Sequence, residues 1–397
     1  MKDALQPEIV EVCAASWPIV PLREVCRIEL GKTPARGTKS NWDEDKSTGN
    51  VWLSIADMPT SLHAEATESR EHVSETAARE MRLVPEGTLL VSFKLTLGRL
   101  CYAGRDLFTN EAIAAILDLD ETRVLKPFLY WYLTYFDWDA AAAGDHKIKG
   151  KTLNKAKLKA LPIPLPPLEE QKRIVAVLDQ AFAALDRARA HAEANLADAR
   201  GLFDSWLMAA FASGAAHWPK KTLPEISENL DRFRVPITKS DRNPGDVPYY
   251  GASGVVDHVA QHIFDEDLLL VSEDGANLLA RTYPIAFSIS GKAWVNNHAH
   301  VLRFESLDSQ EFVRLFLNSI SLTPWVSGMA QPKLNQKALS SIPIPYPDAT
   351  DRKRIVAEAA AVWTDAEAAR ENYGAQLQDI FALRQSLLQQ AFSGRLT

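Results

Sequence analysis

The phrase "LPIPLPPLEEQKRIVAVLDQAF", beginning at Leu161, returns as "IPIPYPDATDRKRIVAEAAAVW" beginning at Ile342, 181 positions later (342 − 161). At that offset Pro162, Ile163, Pro164 and Pro166 meet Pro343, Ile344, Pro345 and Pro347, and residues 172–176 meet residues 353–357 letter for letter. The match continues through Leu196/Leu377, Asp198/Asp379, Leu202/Leu383, Ser205/Ser386, Leu207/Leu388 and Phe211/Phe392. Upstream, "LNKAKLKALPIP" (153–164) pairs with "LNQKALSSIPIP" (334–345), and the apolar run "FLYWYL" at Phe128 lies near the counterpart of "FVRLFL" at Phe312. Even the openings "SWPIVPLREV" and "HWPKKTLPEI" are alike. A chain with such a duplication must fold as one frame built twice.

Each copy reads as a globular segment followed by a long helix, which divides the chain into residues 1–160, 161–215, 216–341 and 342–397. The helices begin after prolines, which suit a first turn. Acids follow at once, Glu169 and Glu170 in one copy and Asp348 and Asp351 in the other, where the helix dipole favours them. Gly214 and Gly394 stand where a left-handed cap would end each helix. Apolar residues recur at spacings near three and four: Ile174, Leu178, Phe182, Leu185, Ala192, Leu196, Ala199, Phe203 and Leu207, then Ile355, Val362, Ala366, Tyr373, Leu377, Ile380, Leu387 and Ala391. That narrow stripe is of coiled-coil type. So long a helix is not stable alone with one apolar edge in water, and the simplest partner is its own copy, packed antiparallel. Such a pair would form a rod with a globular segment at either end. The segments themselves look β-rich, with "GNVWLSIADM", "GTLLVSFKLTLGRLCYAG" and "AIAAILDL" in the first and "DLLLVSEDG", "PIAFSIS" and "KAWVNNHAHVLRF" in the second. The expected fold class is therefore α+β: two α/β domains separated by two long antiparallel coiled-coil helices, with a pseudo-twofold repeat.

Length and composition bound the rest. With 397 residues, 46% hydrophobic and 24% charged, the chain suits two to four soluble domains. No stretch has the roughly 20 uninterrupted apolar residues of a membrane span. The N-terminus lacks a basic-then-apolar export pattern, so a cytoplasmic location and no membrane contact are expected. Three cysteines (Cys13, Cys26 and Cys101) without C-x-x-C spacing argue against disulfides and a cysteine zinc site.

Fragments that suggest catalysis are weak. "GKT" at Gly31 would need a glycine at Cys26 to be a phosphate loop, and "SGK" at Gly291 fails likewise at Ala286. "DEDK" at Asp43 lies in loop-forming sequence, and "NPG" at Asn243 is no methyltransferase motif. His298 and His300 would share one face of a strand but lack an evident third metal ligand. The aromatic run from Phe128 to Phe136 reads as core rather than a base-stacking platform. No catalytic residue, cofactor site or metal site is expected in this chain, which reads as a protein that binds and positions.

The net charge of −7 disfavours nucleic acid in the aggregate, but charge is local. Residues 146–159 hold six lysines and no acid. Lys147, Lys149 and Lys151 surround a glycine where a loop could follow a phosphate backbone, and Arg232, Arg234, Lys239, Arg242, Arg281 and Lys292 cluster in the second segment. Candidates to read base edges are Ser54, Asp57, Lys94 and Arg99 in the first segment, with Asn277, Asn296, Asn297 and Gln331 in the second.

The doubled "PIP-x-P…QKRIV/RKRIV" helix entry, the doubled "LN", the endings "AAFASG" and "QAFSGRL", and "YYGASG…LLVSEDGAN…GKAWVNNHAHVL" together resemble the specificity subunit of a type I restriction-modification system. The likeness covers almost the whole chain. "GKTP…WLSIADM…SFKLTLGR…TNEAIAAI" is a looser match, with a longer insert around residues 41–49. The resemblance implies two target-recognition domains, each reading half of an asymmetric bipartite site in double-stranded DNA, with the helices setting the spacer between the halves. It also implies docking of two methyltransferase subunits and of restriction subunits that are motor and endonuclease. S-adenosylmethionine, ATP and Mg would belong to those partners. A stand-alone enzyme and a coiled-coil scaffold without DNA readout are the rival readings.

Overall fold

The structure, a computed structural model, describes residues 17–143, 146, 147, 150, 151, 153–214, 217–328 and 330–396, and at 146, 147, 150 and 151 the backbone only. Contacts divide the chain into two compact units, Met1–Ala190 with Leu377–Thr397, and His191–Gln376. The division falls in the middle of both long helices, Leu168–Gly214 and Ala349–Phe392. Each unit thus takes the first half of one helix and the second half of the other, whereas the sequence repeat assigns one whole helix to each half.

The first unit carries a five-stranded sheet in the order Arg27–Leu30, Ile113–Leu117, Leu89–Ser92, Leu100–Ala103 and Glu65–Ala66. A second sheet sets Val51–Leu53 between Glu71–His72, antiparallel, and Phe108–Thr109, parallel. The second unit repeats the plan. Its first sheet runs Glu228–Asn229, Ala299–Arg303, Leu268–Ser272, Ala286–Ile289. In its second sheet Val247–Gly251 lies antiparallel to Gly254–Val259 and parallel to Lys292–Val295. The central strands "LLVS" and "LLLVS" are buried along their whole length, which is why they read as continuous apolar runs rather than alternating ones. Divergent sequences have kept the order and direction of the four shared strands of the first sheet and the parallel pairing in the second; the parallel edge strand Glu65–Ala66 belongs to the first unit's sheet alone.

The duplicated phrases occupy equivalent places. Ile19–Pro21 pairs antiparallel with Pro162–Pro164, and Lys220–Lys221 with Ile344–Pro345, so each opening is stitched to the "PIP" that precedes its own helix. In each "LN" the leucine (Leu153, Leu334) is fully buried. The asparagine caps a short helix: Asn154 Oδ1 accepts from the Lys157 N–H at 2.8 Å and Asn335 Oδ1 from the Ala338 N–H at 2.9 Å.

Within the first unit, Ile174, Leu178 and Phe182 from the start of one long helix share a core with Leu388, Ala391 and Phe392 from the end of the other. Within the second, Leu207 and Phe211 share a core with Ile355 and Ala359. Ile355 repeats Ile174, and Leu207 and Phe211 repeat Leu388 and Phe392, so both units use the same antiparallel pairing of helix start with helix end. Leu185, Leu196, Phe203, Val362, Tyr373, Leu377, Ile380 and Leu387 are half-buried along the helices, and Ala192, Ala199 and Ala366 are buried.

The aromatic helix Lys126–Tyr135 is core: Phe128 through Leu133 are all buried. Its counterpart is Leu307–Ser319. Phe128 and Tyr132 both meet Phe392 edge-on, as Phe312 and Phe316 meet Phe211, which fixes the register of the two helices at Trp131 against Leu315.

Candidate nucleic-acid interface

In both units three loops converge beyond the buried central strand, tied by the same backbone bonds. In the first unit the Phe93 N–H donates to Ala112 O at 3.0 Å and the Leu153 N–H to Phe93 O at 2.9 Å. In the second the Glu273 N–H donates to His298 O at 2.9 Å and the Leu334 N–H to Glu273 O at 2.7 Å. The junction therefore aligns Phe93 with Glu273, Lys94 with Asp274, and Ala112 with His298. The hairpin of His146–Lys147 with Gly150–Lys151 leads into it in the first unit. Segment 327–333 does so in the second, where Ser327 and Lys333 exchange backbone bonds. One scaffold thus presents two unlike sets of side chains.

Beneath the second junction lies a buried charge network. His300 directs Nδ1 to Asp231 Oδ2 at 2.6 Å and Nε2 to Leu334 O at 2.7 Å. Arg234 Nη1 donates to Glu273 Oε2 at 2.6 Å and to Ala299 O at 2.7 Å, and Lys333 Nζ lies 3.1 Å from Glu273 Oε1. Burial works against ionising Asp231, but bonds from His300 and the Val301 N–H, with the nearby Arg234, outweigh it and hold its carboxyl below the ordinary range. The same opposition, resolved by Arg234, His300 and Lys333, holds Glu273 low. Ligand atoms of Asp231, Glu273 and His300 lie within 4.8 Å of one another, a spacing that suits a metal ion. Arg234 and Lys333 already supply the positive charge there, so the residues do not fit a metal.

Seven sequence candidates are committed inside the protein. Arg234 belongs to that network. Arg281, in a left-handed conformation, directs Nη2 at the carbonyls of Leu317, Asn318 and Ile320 and so caps the helix Leu307–Ser319. Arg99 Nη1 donates to Ile55 O at 2.8 Å. Ser54 Oγ donates to Asp57 Oδ2 at 2.8 Å. Burial of Asp57 is outweighed by its bonds from Ser54, Arg70 and Ser69, which hold its carboxyl low. Asn277 closes a turn with Thr282 and Tyr283, and buried Asn296 accepts from the His298 N–H at 2.8 Å. These side chains have little left to offer a ligand.

The remaining candidates face outward. Lys239, Lys292, Asn297 and Gln331 are exposed, and Lys94 is partly exposed beside the Phe93 ring; no side-chain hydrogen bond or close ion pair holds any of the five among the described residues, though the charge of Lys239 acts on Asp257. Arg232 lies 3.6 Å from Glu228 and stacks on Phe233. Arg242 is held by Asp257 at 2.8 Å over the Tyr249 ring. Lys149 lies outside the described residues, as do the side chains of Lys147 and Lys151.

The catalytic fragments resolve into structure. A Cβ on Gly31 would come 2.1 Å from Thr109 O, so "GKT" needs its glycine for close packing. Asp43 staples its own loop, accepting from the Thr48 N–H at 2.8 Å and Thr48 Oγ1 at 2.7 Å. His298 and His300 do not share a strand face: His298 precedes the strand, half exposed and paired with Asp274, whereas His300 is buried with Asp231. Sequence reasoning passed over Lys333; the family resemblance set "SEDGAN" and "NNHAH", and with them Asp274 and His298, in DNA-facing or core structure without a role for either, and His298 was weighed as a metal ligand against a hydrogen-bonding or packed histidine. Aligning "SFK" with "SED" at Ser92 and Ser272 would have marked Lys94 and Asp274 as a position where the copies differ; it does not reach His298 or Lys333.

The sequence matches the profile of the type I restriction modification DNA specificity domain twice, over residues 15–193 and 216–358. The chain is 32% identical over 136 residues to the type I restriction enzyme specificity subunit S.HindORF215P of Haemophilus influenzae, a match spanning 34% of this chain and 35% of that one. It is 24% identical over 200 residues to the MjaIX specificity subunit of Methanocaldococcus jannaschii, spanning 48% and 44%. The chain therefore matches less than half the length of either relative. Among solved structures, the HsdS subunit of Thermoanaerobacter tengcongensis aligns over 97% of this chain and 98% of its own, with a TM-score of 0.65 at 17% identity. A chain from a study of complex assembly and conformational transition in a type I R-M system aligns over 97% and 99%, with a TM-score of 0.70 at 16% identity. At such identities the likeness speaks for the fold, while the two profile matches cover most of the sequence: the chain belongs to the type I restriction-modification DNA specificity family.

Proposed function

We propose that this chain is the DNA-recognition subunit of a type I restriction-modification complex, reading one half of a bipartite asymmetric duplex site with each unit. The observation that carries this reading is the loop junction, built twice on identical backbone bonds and furnished with unlike polar side chains. A scaffold that recognised nothing would have no need to differ there. Phosphate attraction falls to Lys94 and the lysine hairpin on the first unit and to Lys239, Lys292 and Arg232 on the second; base-edge contacts fall to exposed amides such as Asn297 and Gln331.

In this reading the chain carries no catalytic group. Two methyltransferase subunits would supply adenine methylation from S-adenosylmethionine, and restriction subunits would supply ATP- and Mg-dependent translocation and cleavage. The complex would work in the cytoplasm; no helix among the described residues is long and apolar enough to cross a membrane. Long-read adenine-methylation sequencing of DNA from cells that express this chain with its neighbouring methyltransferase tests the proposal. A split asymmetric motif, methylated on both strands only when this chain is present, is the expected result. If a direct binding titration of the assembled complex also finds no sequence preference, the scaffold reading replaces it.

A further inference from the structure

We propose that His298, oriented by Asp274, is a specificity-determining residue that reads a base edge in the half-site of the second unit. This rests on the DNA-recognition reading above. The ring stands at the meeting of the three loops: the Gly275 N–H donates to Pro332 O at 3.0 Å and the Glu273 N–H to His298 O at 2.9 Å, directly above the buried charge network. The backbone of His298 is fixed a second time by the bond from its own N–H to Asn296 Oδ1. Its side chain is 51% exposed, and Nδ1 lies 2.8 and 3.0 Å from the two carboxylate oxygens of Asp274.

A carboxylate only accepts, so Nδ1 carries a proton and Nε2 is the atom left to meet a ligand. No bond to Nε2 occurs among the described residues. A polar atom fixed in direction on a rigid loop loses little freedom on binding, which is the property a base reader needs. Nε2 matches the polar edges displayed in the major groove: as an acceptor the amino group of adenine or cytosine, as a donor the O6 and N7 of guanine.

The repeat separates this role from a structural one. The Phe93/Glu273 and Leu153/Leu334 backbone bonds are common to both units, so whatever the junction needs for folding is present twice. The pair Asp274–His298 is not, because its counterparts are Lys94 and Ala112. A side-chain pair found in one copy only, exposed, and placed on a conserved backbone is what two different half-sites would require.

The test uses the assembled complex of this chain with its methyltransferase subunits and a duplex library in which each base pair of both half-sites is varied singly. Wild type is expected to favour one base at each specific position. His298→Ala should reduce that preference about tenfold at one position of the second half-site and leave the first half-site's profile unchanged. Asp274→Asn should weaken the same position less. His298→Gln, which keeps a polar tip, should change which base is favoured there. The proposal is overturned if the profiles of His298→Ala and His298→Gln equal that of wild type, or if either variant weakens binding equally on every sequence. A wild-type complex without preference at any position would instead sink the DNA-recognition reading itself.

Discussion

At equivalent places in the two junctions, the first unit buries Phe93 and Ala114 while the second buries Glu273 and His300. A similar contrast recurs where each module meets its long helix. In the first unit the Trp131 ring packs at a tilt against Phe182, centroids 4.6 Å apart, and donates its indole N–H to Asp179 at 2.7 Å. The stacked rings of His63 and Tyr130 complete that cluster. In the second unit the corresponding residues are Leu315, Trp363 and Ala360, and all three line an open groove of about 950 Å³. The duplicated backbone tolerates an apolar pin or an ionic one, and a filled corner or an empty one. What it holds constant are the main-chain bonds and the buried strands, because those satisfy groups that have no other partner.

The two materials fail by different routes, the ionic pin because each charge in it depends on the others. Asp231→Ala removes the acceptor of His300 Nδ1 and of the Val301 N–H, which donates to Asp231 Oδ1 at 2.8 Å, and leaves Arg234 undercompensated. It is expected to cost the second unit about 3–5 kcal/mol. Phe93→Ala should cost the first unit a similar amount through a cavity instead. Hydrogen-exchange mass spectrometry resolved by peptide should register each loss in its own unit. Unchanged protection of the second unit's strands in Asp231→Ala would show that the network contributes nothing to holding the junction.

Truncating the filled corner comes next in size. Trp131→Leu gives the first unit the residue that the second already has, removes a packed ring and leaves Phe182 partly uncovered. About 2–3 kcal/mol of destabilisation is expected, within the range of large-to-small core changes. Thermal unfolding should report a lower midpoint for the transition that involves the first unit. A loss below about 0.5 kcal/mol would mean that the corner collapses freely and that the two units differ less than their side chains suggest.

Acid should act on the ionic pin through its two carboxylates. Asp231 and Glu273 are both more acidic in the folded unit than in an unfolded chain, because their paired cations and hydrogen bonds outweigh burial. As pH falls the unfolded chain therefore takes up protons first, and the contribution, full above the ordinary carboxylate range, is lost as pH drops through the native values. Asp57 in the first unit shares this sign, so the informative comparison is with a variant. Glu273→Gln should flatten the acid limb of the second unit's stability curve and leave that of the first unit as it was. Equal acid limbs in wild type and variant would remove Glu273 from the account.

The duplicated frame was legible because it is written in backbone-determining letters: prolines before a helix, an asparagine cap after a buried leucine, a stripe of apolar residues at three and four. The β-rich segments were legible too, since buried central strands such as "LLVS" and "LLLVS" leave unbroken apolar runs. Side-chain destinations were harder. Arg234 and Lys239 look alike as basic residues in one stretch, yet Arg234 is drawn inward by Glu273, which is 39 positions away, whereas Lys239 stays in solvent. Arg281 became a helix cap through a left-handed turn that no periodicity announces. Asp274 and His298 meet only because three loops close together, so neither side chain could identify the other in sequence.

The smallest expected effect is the most direct test that the two corners are equivalent. Leu315→Trp with Ala360→Asp places in the groove of the second unit the pair that fills the first. Leu315→Trp alone gains contact area against Trp363 but leaves the indole N–H without its carboxylate, and Ala360→Asp alone adds an exposed charge beside an apolar wall. Together they should be more stable than the sum of the singles by about 0.5–1 kcal/mol, the size of one hydrogen bond made between neighbouring groups. A double-mutant cycle measured by denaturant titration reads that coupling directly. A coupling of zero would mean that the second corner is shaped by more than the absence of Trp131 and Asp179, with Leu279 and Tyr283 at the rim holding a different geometry open.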